Sequence, residues 1–281
     1  MIDIVTVVFQ EELTVLKLQA ESVDLYCQDA GIKTIFVVVN DDVGVAKKID
    51  PTWWGSLSGH VKIIHRDEFN CNFVENGWVS QQVLKLLASA LSTNQYTMVL
   101  DAKTIFVNPL DPTRIFDHQG RQTWGYVPIQ PVFARAGKIV SDLFNIDLQH
   151  IAGPTGVPFF FQNTTVRSMI SKVAELTGQS FSDWFQAQGM VTEFILYTGY
   201  IQYRDGTLDF EYVNNNCPYN ICNICHSEVE RFDRKIVEMH QPTMLTVSIH
   251  RNCWRQLICE QQVEYVELLE SRGVTQARSI L

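Results

Sequence analysis

The stretch Gly77-Trp78-Val79-Ser80-Gln81-Gln82-Val83-Leu84-Lys85, running on to Tyr96-Thr97-Met98-Val99-Leu100-Asp101-Ala102-Lys103, decides the fold. The first part opens an amphipathic helix over residues 80–93. The second is a short, fully apolar strand over 96–100 that ends on an acid. In an open α/β sheet, ligands gather outside the carboxyl ends of the strands, where side chains face a crevice. An aspartate at such an end is placed to meet something cationic, most usefully a metal ion holding a phosphorylated substrate.

Upstream, residues 2–9 read as a first strand. Residues 11–28 carry Leu13, Leu16, Ala20, Val23 and Leu25 near helical spacing, with acids in the first turn that suit the helix dipole. Gly31 closes that helix, and residues 33–39 form a second apolar strand ending in Asn40-Asp41-Asp42. A third strand covers 61–64. This β-α-β opening with continuous apolar strands predicts a Rossmann-like, mostly parallel sheet covered by helices on both faces. Residues 1–110 thus read as a nucleotide-binding half. The remainder is less regular: strands over 123–127 and 157–162, with Pro128 and Pro131 between them, then helices over 166–177 and 181–188. The second of these leads into the apolar segment 191–197. A polar, cysteine-rich loop over 214–226, a strand over 246–250 and a helix over 255–270 follow. No internal repeat or biased linker divides the chain, so residues 1–281 are expected to form one domain.

A hydrophobic fraction of 46%, with 16 Phe and 6 Trp in 281 residues, fits a globular core. The net charge of −9 gives no basic footprint for nucleic acid or an anionic membrane, yet leaves room for a locally basic pocket and a phosphorylated ligand. No apolar run approaches the ~20 residues that span a bilayer. The first nine residues have no basic leader and too short an apolar stretch for a secretion signal, so a cytoplasmic protein is expected. Seven cysteines, an odd number without an export signal, are expected as reduced thiols, and Cys27 as a small buried hydrophobe.

Several groups are candidates for chemistry. Asn40 and Asp41, beside the first-strand end at Thr6 and Phe9, can accept hydrogen bonds from a ribose hydroxyl or a base N–H; they equally suit a polar turn. Gln81 and Lys85 lie four apart on one helix face, where Lys85 can balance phosphate charge and Trp78 can offer a platform for a sugar ring. The same residues also suit a solvated stripe with a buried Trp. Cys217, Cys222, Cys225 and His226 form C-x4-C-x2-C-H, which supplies four possible zinc ligands and contains the CxxCH string of c-type haem attachment. A loop of reduced cysteines explains it as well.

The run Val99-Leu100-Asp101-Ala102-Lys103-Thr104-Ile105-Phe106-Val107-Asn108-Pro109 resembles the strand that carries the metal-binding DxD motif in GT-A-type glycosyltransferases, with Lys103 where the second Asp stands. The Gly-Trp, Gln-Gln, Leu-Lys series and the segment Glu193-Phe194-Ile195-Leu196-Tyr197 are similar to segments of a bacterial and phage family assigned to those enzymes. The resemblance implies a single GT-A-like domain whose half 111–281 receives the acceptor. It implies transfer of a sugar from a nucleotide-diphosphate sugar, such as a UDP-sugar, to a hydroxyl of a glycan or other acceptor. Thr6, Phe9, Asn40, Asp41, Lys85, Asp101 and Lys103 would then meet the donor, and Trp78, Gln81 and Tyr197 the acceptor. Glu193 would be the base that takes the acceptor proton; as the residue after Thr192 it also suits a helix N-terminus. Asp101, together with His250 in Ser248-Ile249-His250-Arg251, would hold Mn²⁺ or Mg²⁺, with His240 a rival for the histidine. Lys103 leaves alternatives open: a further metal ligand comes from elsewhere, Lys103 neutralises the diphosphate directly, or it turns away to pair with a surface acid. Two other functions stay open, a nucleotide-sugar binder without turnover and a zinc- or haem-dependent protein using the Cys217 to His226 loop.

Overall fold

Every residue of β1 (Ile2–Val8) is buried, so the strand sits inside its sheet with both faces covered. The computed structural model describes residues 1–213, 217–225 and 228–281. After β1 come α1 (Leu13–Cys27), β2 (Ile32–Val39), the single turn α2 (Val43–Ala46), β3 (Val61–His65), α3 (Gly77–Leu91) and β4 (Tyr96–Asp101). The chain continues through β5 (Ile105–Phe106), the single turn α4 (Pro112–Ile115), β6 (Tyr126–Pro128), α5 (Ala134–Phe144), β7 (His150–Ala152) and β8 (Phe159–Gln162). It ends with α6 (Asn163–Thr177), α7 (Phe181–Gln188), α8 (Glu193–Asp205), β9 (Asn220–Ile224), α9 (Phe232–Met239), β10 (Met244–Ile249), the single turn α10 (Arg251–Trp254) and α11 (Cys259–Ser271).

The main sheet has the order β3-β2-β1-β4-β8. β1 to β4 are parallel, with Val5 opposite Phe36 on one side and Val99 on the other; β8 closes the edge antiparallel to β4. Strand alternation divides the core in two. Val5, Val7, Val38 and Val99 pack with α3, α5, α6, α7 and α8, while Ile2, Ile4, Val8, Val37 and Leu100 pack with α1 and with Trp54 and Leu57. Each such side chain removed from water contributes about 1.5–3 kcal/mol, so the sheet is held from both faces. The expected mostly parallel sheet flanked by helices is the observed one.

A second sheet, β5-β10-β9, lies over its own apolar cluster with α9 and α11. β9 runs parallel to β10, so the carboxyl ends of this pair also open toward one side. β9 falls inside the stretch expected to be a loop. Cys222 and Ile224 turn inward at alternate positions, and the apolar Ile221 at an outward position obscures that period in the sequence. The expected C-terminal helix over 255–270 is α11, which begins four residues later at Cys259 and is preceded by the single turn α10. Among the described residues no helix is long and apolar enough to cross a membrane.

Candidate active site

Asn76 caps α3, its Oδ1 accepting from the amides of Trp78 and Val79 at 3.1 and 3.4 Å. Gly77 follows because the ring of Phe9 lies against the helix start; a Cβ there would meet that ring at 3.1 Å. From this start, positions 81 and 85 share a face directed at the end of β4. Gln81 Nε2 and Lys85 Nζ donate to Asp101 Oδ1 at 2.8 and 2.7 Å, and Lys103 Nζ donates to Oδ2 at 2.7 Å. Lys103 reaches back because the chain turns tightly, with the Thr104 amide bonded to the Asp101 carbonyl at 2.9 Å. Gln19 from α1 fixes that turn by donating to the carbonyls of Asp101 and Thr104 at 2.6 and 3.2 Å.

α8 starts on the facing wall. Thr192 caps it, accepting from the Ile195 amide at 3.4 Å, and places Glu193 in the first turn. Lys85 Nζ donates to Glu193 Oε1 at 3.0 Å. The Gln82 amide, with its nitrogen toward the carboxylate, donates to the same group. One buried ammonium therefore joins the acid of β4 to the acid of α8. The Lys85 and Glu193 side chains are only 3% and 4% exposed, against 21% and 22% for Asp101 and Lys103. Burial disfavours ionised Asp101, but the ammonium groups of Lys103 and Lys85 outweigh it and hold the carboxyl well below the usual range. Burial likewise disfavours charged Lys85, and Asp101 with Glu193 outweighs it, so its pKa is raised. Glu12, half-buried near Lys103 and Asp101, has its pKa raised by that partial burial.

These residues line a cleft of about 760 Å³ at the carboxyl ends of β1, β2, β4, β9 and β10 and the starts of α3, α5 and α8. Both sheets thus open into one site. Phe9, Asp41, Trp78, Gln81, Lys85, Asp101, Lys103, Glu193 and His250, all singled out in the sequence, are in its lining. Trp78 stands at the mouth, 46% exposed. Asp41 is oriented by the amides of Gln10 and Asp42, at 2.9 and 2.8 Å, which lower its pKa despite some burial. His250 caps α10, its Nδ1 accepting from the Asn252 amide at 3.1 Å.

The structure does not bring Thr6, Asn40 or Tyr197 to the cleft. Thr6 is buried within β1, between Val37 and Leu100. Asn40 turns under the strand end and ties β2 to α3, donating to Ser80 Oγ at 2.8 Å and accepting from Arg66 at 3.3 Å. Tyr197, fully buried, accepts from the Gln162 amide at 2.9 Å and donates to Glu211. It shares the Glu193 face of α8 but lies one turn further from the helix start that opens on the cleft, and so sits in the core. His240 is exposed after α9 and outside the cleft. Sequence reading gave Gln82 no role and missed Glu12, Phe133, Phe194 and the pair Asn223 and Ser248, in which Ser248 donates to Asn223 at 2.6 Å. Gln82 was legible as the neighbour of Gln81; the Asn223–Ser248 pair depends on the second sheet and left no local signal.

Of the cysteine stretch, His226 lies outside the described residues. Cys222 is buried in the cluster of the second sheet, whereas Cys217 packs on the cluster beneath the first. Among the described residues no three His, Cys, Asp or Glu side chains gather as a metal-ligand set. The surroundings of Asp101 do not fit a divalent ion either. Mg²⁺ and related ions need oxygen ligands in a near-octahedral shell, and both oxygens of Asp101 already hold ammonium groups. Two unit charges ~4 Å apart interact by about 4 kcal/mol at an effective dielectric of about 20, and a dication doubles the repulsion from each ammonium.

The fold has solved counterparts. A galactosyltransferase, LgtC, in complex with donor and acceptor sugar analogues superposes with a TM-score of 0.53 at 13% identity, over 96% of this chain and 95% of that one. An active-site mutant of LgtC gives a TM-score of 0.51 at the same identity and coverage. The chain therefore has a GT-A-like glycosyltransferase fold. A comparison with curated proteins finds no match. Residues 6–262 match the model of DUF6492, a family of unknown function, and the chain belongs to that family.

Proposed function

We propose that this protein is a glycosyltransferase that moves a sugar from a nucleotide-diphosphate sugar to a hydroxyl acceptor. The observation that carries this reading is the Asp101–Lys85–Glu193 bridge, which sets two acids on facing walls of a strand-end cleft in a GT-A-like fold. The nucleoside lies at the ends of β1 and β2, where Phe9 offers a ring face and Asp41 accepts from ribose or base. The diphosphate lies at Lys103, beyond Asp101. The acceptor sugar enters past Trp78, against the wall that Phe133 and Phe194 form with their rings edge-on, centroids 5.4 Å apart. In direct displacement the acceptor oxygen attacks the anomeric carbon, the bond from that carbon to the diphosphate oxygen breaks, and the nucleoside diphosphate leaves with the electron pair. Glu193 takes the acceptor proton. Its carboxylate keeps lone pairs beyond those used by Lys85 and Gln82.

A thermal-shift screen of nucleotide sugars tests the donor, because a ligand that binds only the folded state raises the melting temperature according to its concentration and affinity. Stabilisation by one class of nucleotide sugar, followed by release of its nucleoside diphosphate on adding an acceptor, is the expected result. A positioned base contributes ~10²–10⁴-fold, so Glu193→Gln is expected to lower transfer by about that much with donor binding kept. Transfer at the wild-type rate by that variant removes Glu193 from the role and moves attention to Glu12, another acid in the lining of the same cleft. Binding without turnover favours a non-catalytic sugar-nucleotide protein, and no binding at all rejects the function.

A further inference from the structure

We infer that the Lys103 ammonium, in place of a divalent metal ion, carries the positive charge that receives the donor diphosphate; this rests on the sugar-nucleotide reading above. The tight turn at Asp101–Thr104 folds Lys103 back so that its Nζ sits 2.7 Å from Asp101 Oδ2, the oxygen not taken by Lys85 and Gln81. The two lysines are not equivalent. Lys85 is sealed in, at 3% exposure, and spans two acids; Lys103 shares one acid and reaches the cleft with 22% of its side chain exposed. Only the second can hand a charge-assisted hydrogen bond to an arriving phosphate oxygen.

The other acids near this point already have partners of their own, and none of them bonds to Lys103. Glu12 Oε2 accepts from the Phe9 amide at 3.3 Å, Glu11 pairs with Arg251, and Glu193 is held by Lys85 and Gln82. Placing a metal on Asp101 Oδ2 would therefore mean displacing the Lys103 ammonium that already occupies it. An anion meets the opposite situation: it adds a partner to Lys103 without removing the one that orients it. The chemical class is a nucleoside diphosphate, whose β-phosphate becomes the leaving group.

Calorimetric titration of the full chain with UDP and with GDP, in excess EDTA and again in excess MnCl₂, reads the inference directly. The nucleotide that binds is expected to do so equally well in both conditions. Lys103→Met is expected to weaken it roughly 10- to 100-fold, the range of a hydrogen bond to a charged group, and Lys103→Arg to keep most of it. Lys103→Asp, which restores a pair of acids, is expected to bind only with Mn²⁺. Loss of wild-type binding in EDTA with recovery in Mn²⁺ overturns the inference, as does unchanged binding by Lys103→Met. Electron paramagnetic resonance of Mn²⁺ with the wild-type protein alone is independent of nucleotide. Stoichiometric bound Mn²⁺ there overturns the inference, and its absence both there and after the nucleotide is added supports it. If neither nucleotide binds in any condition, the sugar-nucleotide reading fails while the Mn²⁺ spectrum still decides the metal question.

Discussion

A buried ammonium is tolerated only when its charge is met, and Lys85 is met twice, by Asp101 and Glu193. Removing it leaves two carboxylates converging, with Lys103 still on one and Gln82 on the other. Breaking a buried pair from one side typically costs about 3–5 kcal/mol, so Lys85→Met, which keeps the stem and drops the charge, is expected to lose about that much in denaturant unfolding. Adding Glu193→Gln to Lys85→Met is expected to recover part of the loss, because one stranded charge is gone; strictly additive losses in that cycle would show the two groups to be uncoupled. The residues of this cluster were legible because each lies at a position with a geometric meaning: a strand end, two helix sites four apart, the first turn of a helix. Asn40 and Thr6 also lie at or near strand ends but face the other way. A polar residue there can point into the crevice or tie the strand to its neighbour, and that choice depends on Ser80 and Arg66, which sequence spacing does not link to it.

At the level of elements, α8 shows why the second half reads less clearly. From Glu193 to Ile201 every residue is buried, so the helix lacks the polar stripe from which a 3.6-residue period is recognised. It packs so closely on α5 that Gly199 has no room for a side chain: an added Cβ would lie 2.1 Å from Val140 Cγ1, itself fully buried and β-branched. Overpacking of this kind costs about 1–3 kcal/mol. Gly199→Ala is therefore expected to lower stability by that amount, against the gain that Gly to Ala normally brings inside a helix, and Val140→Ala in the same chain is expected to restore part of it. A Gly199→Ala variant more stable than wild type would mean that α5 yields. Because α8 carries Glu193, the double variant also reports whether the position of the helix reaches the site. α5 itself went unread although Ala136, Ile139, Val140, Leu143 and Phe144 recur at helical spacing, because Pro128 and Pro131 just before it marked the whole segment as irregular.

On the scale of the whole molecule, two sheets with unrelated topologies direct strand ends into one cleft. The first sheet was legible because β1 to β4 are apolar strands that follow one another in sequence and lie in one parallel sheet; the second sheet was not, since it pairs Ile105 with Val247 across most of the chain. The result gathers acids and ammonium groups at one point of a protein with a net charge of −9, so acidification acts on the cluster in a definite direction. Asp101 has its pKa lowered on folding because Lys103 and Lys85 outweigh its burial. A carboxyl lowered on folding contributes stability that is fully present above its unfolded pKa, about 3.9, and is lost as pH falls from there toward the lower folded value. Asp101→Asn has no such titration. The gap in unfolding free energy between wild type and this variant is therefore expected to stay constant from about pH 5 to 8, and to narrow below about pH 4 by up to ~1.4 kcal/mol per unit. Urea unfolding of both proteins across that range measures it. A gap that stays level down to pH 3 would mean that Asp101 titrates alike in the folded and unfolded chains, and that the two lysines do not hold it as the geometry requires.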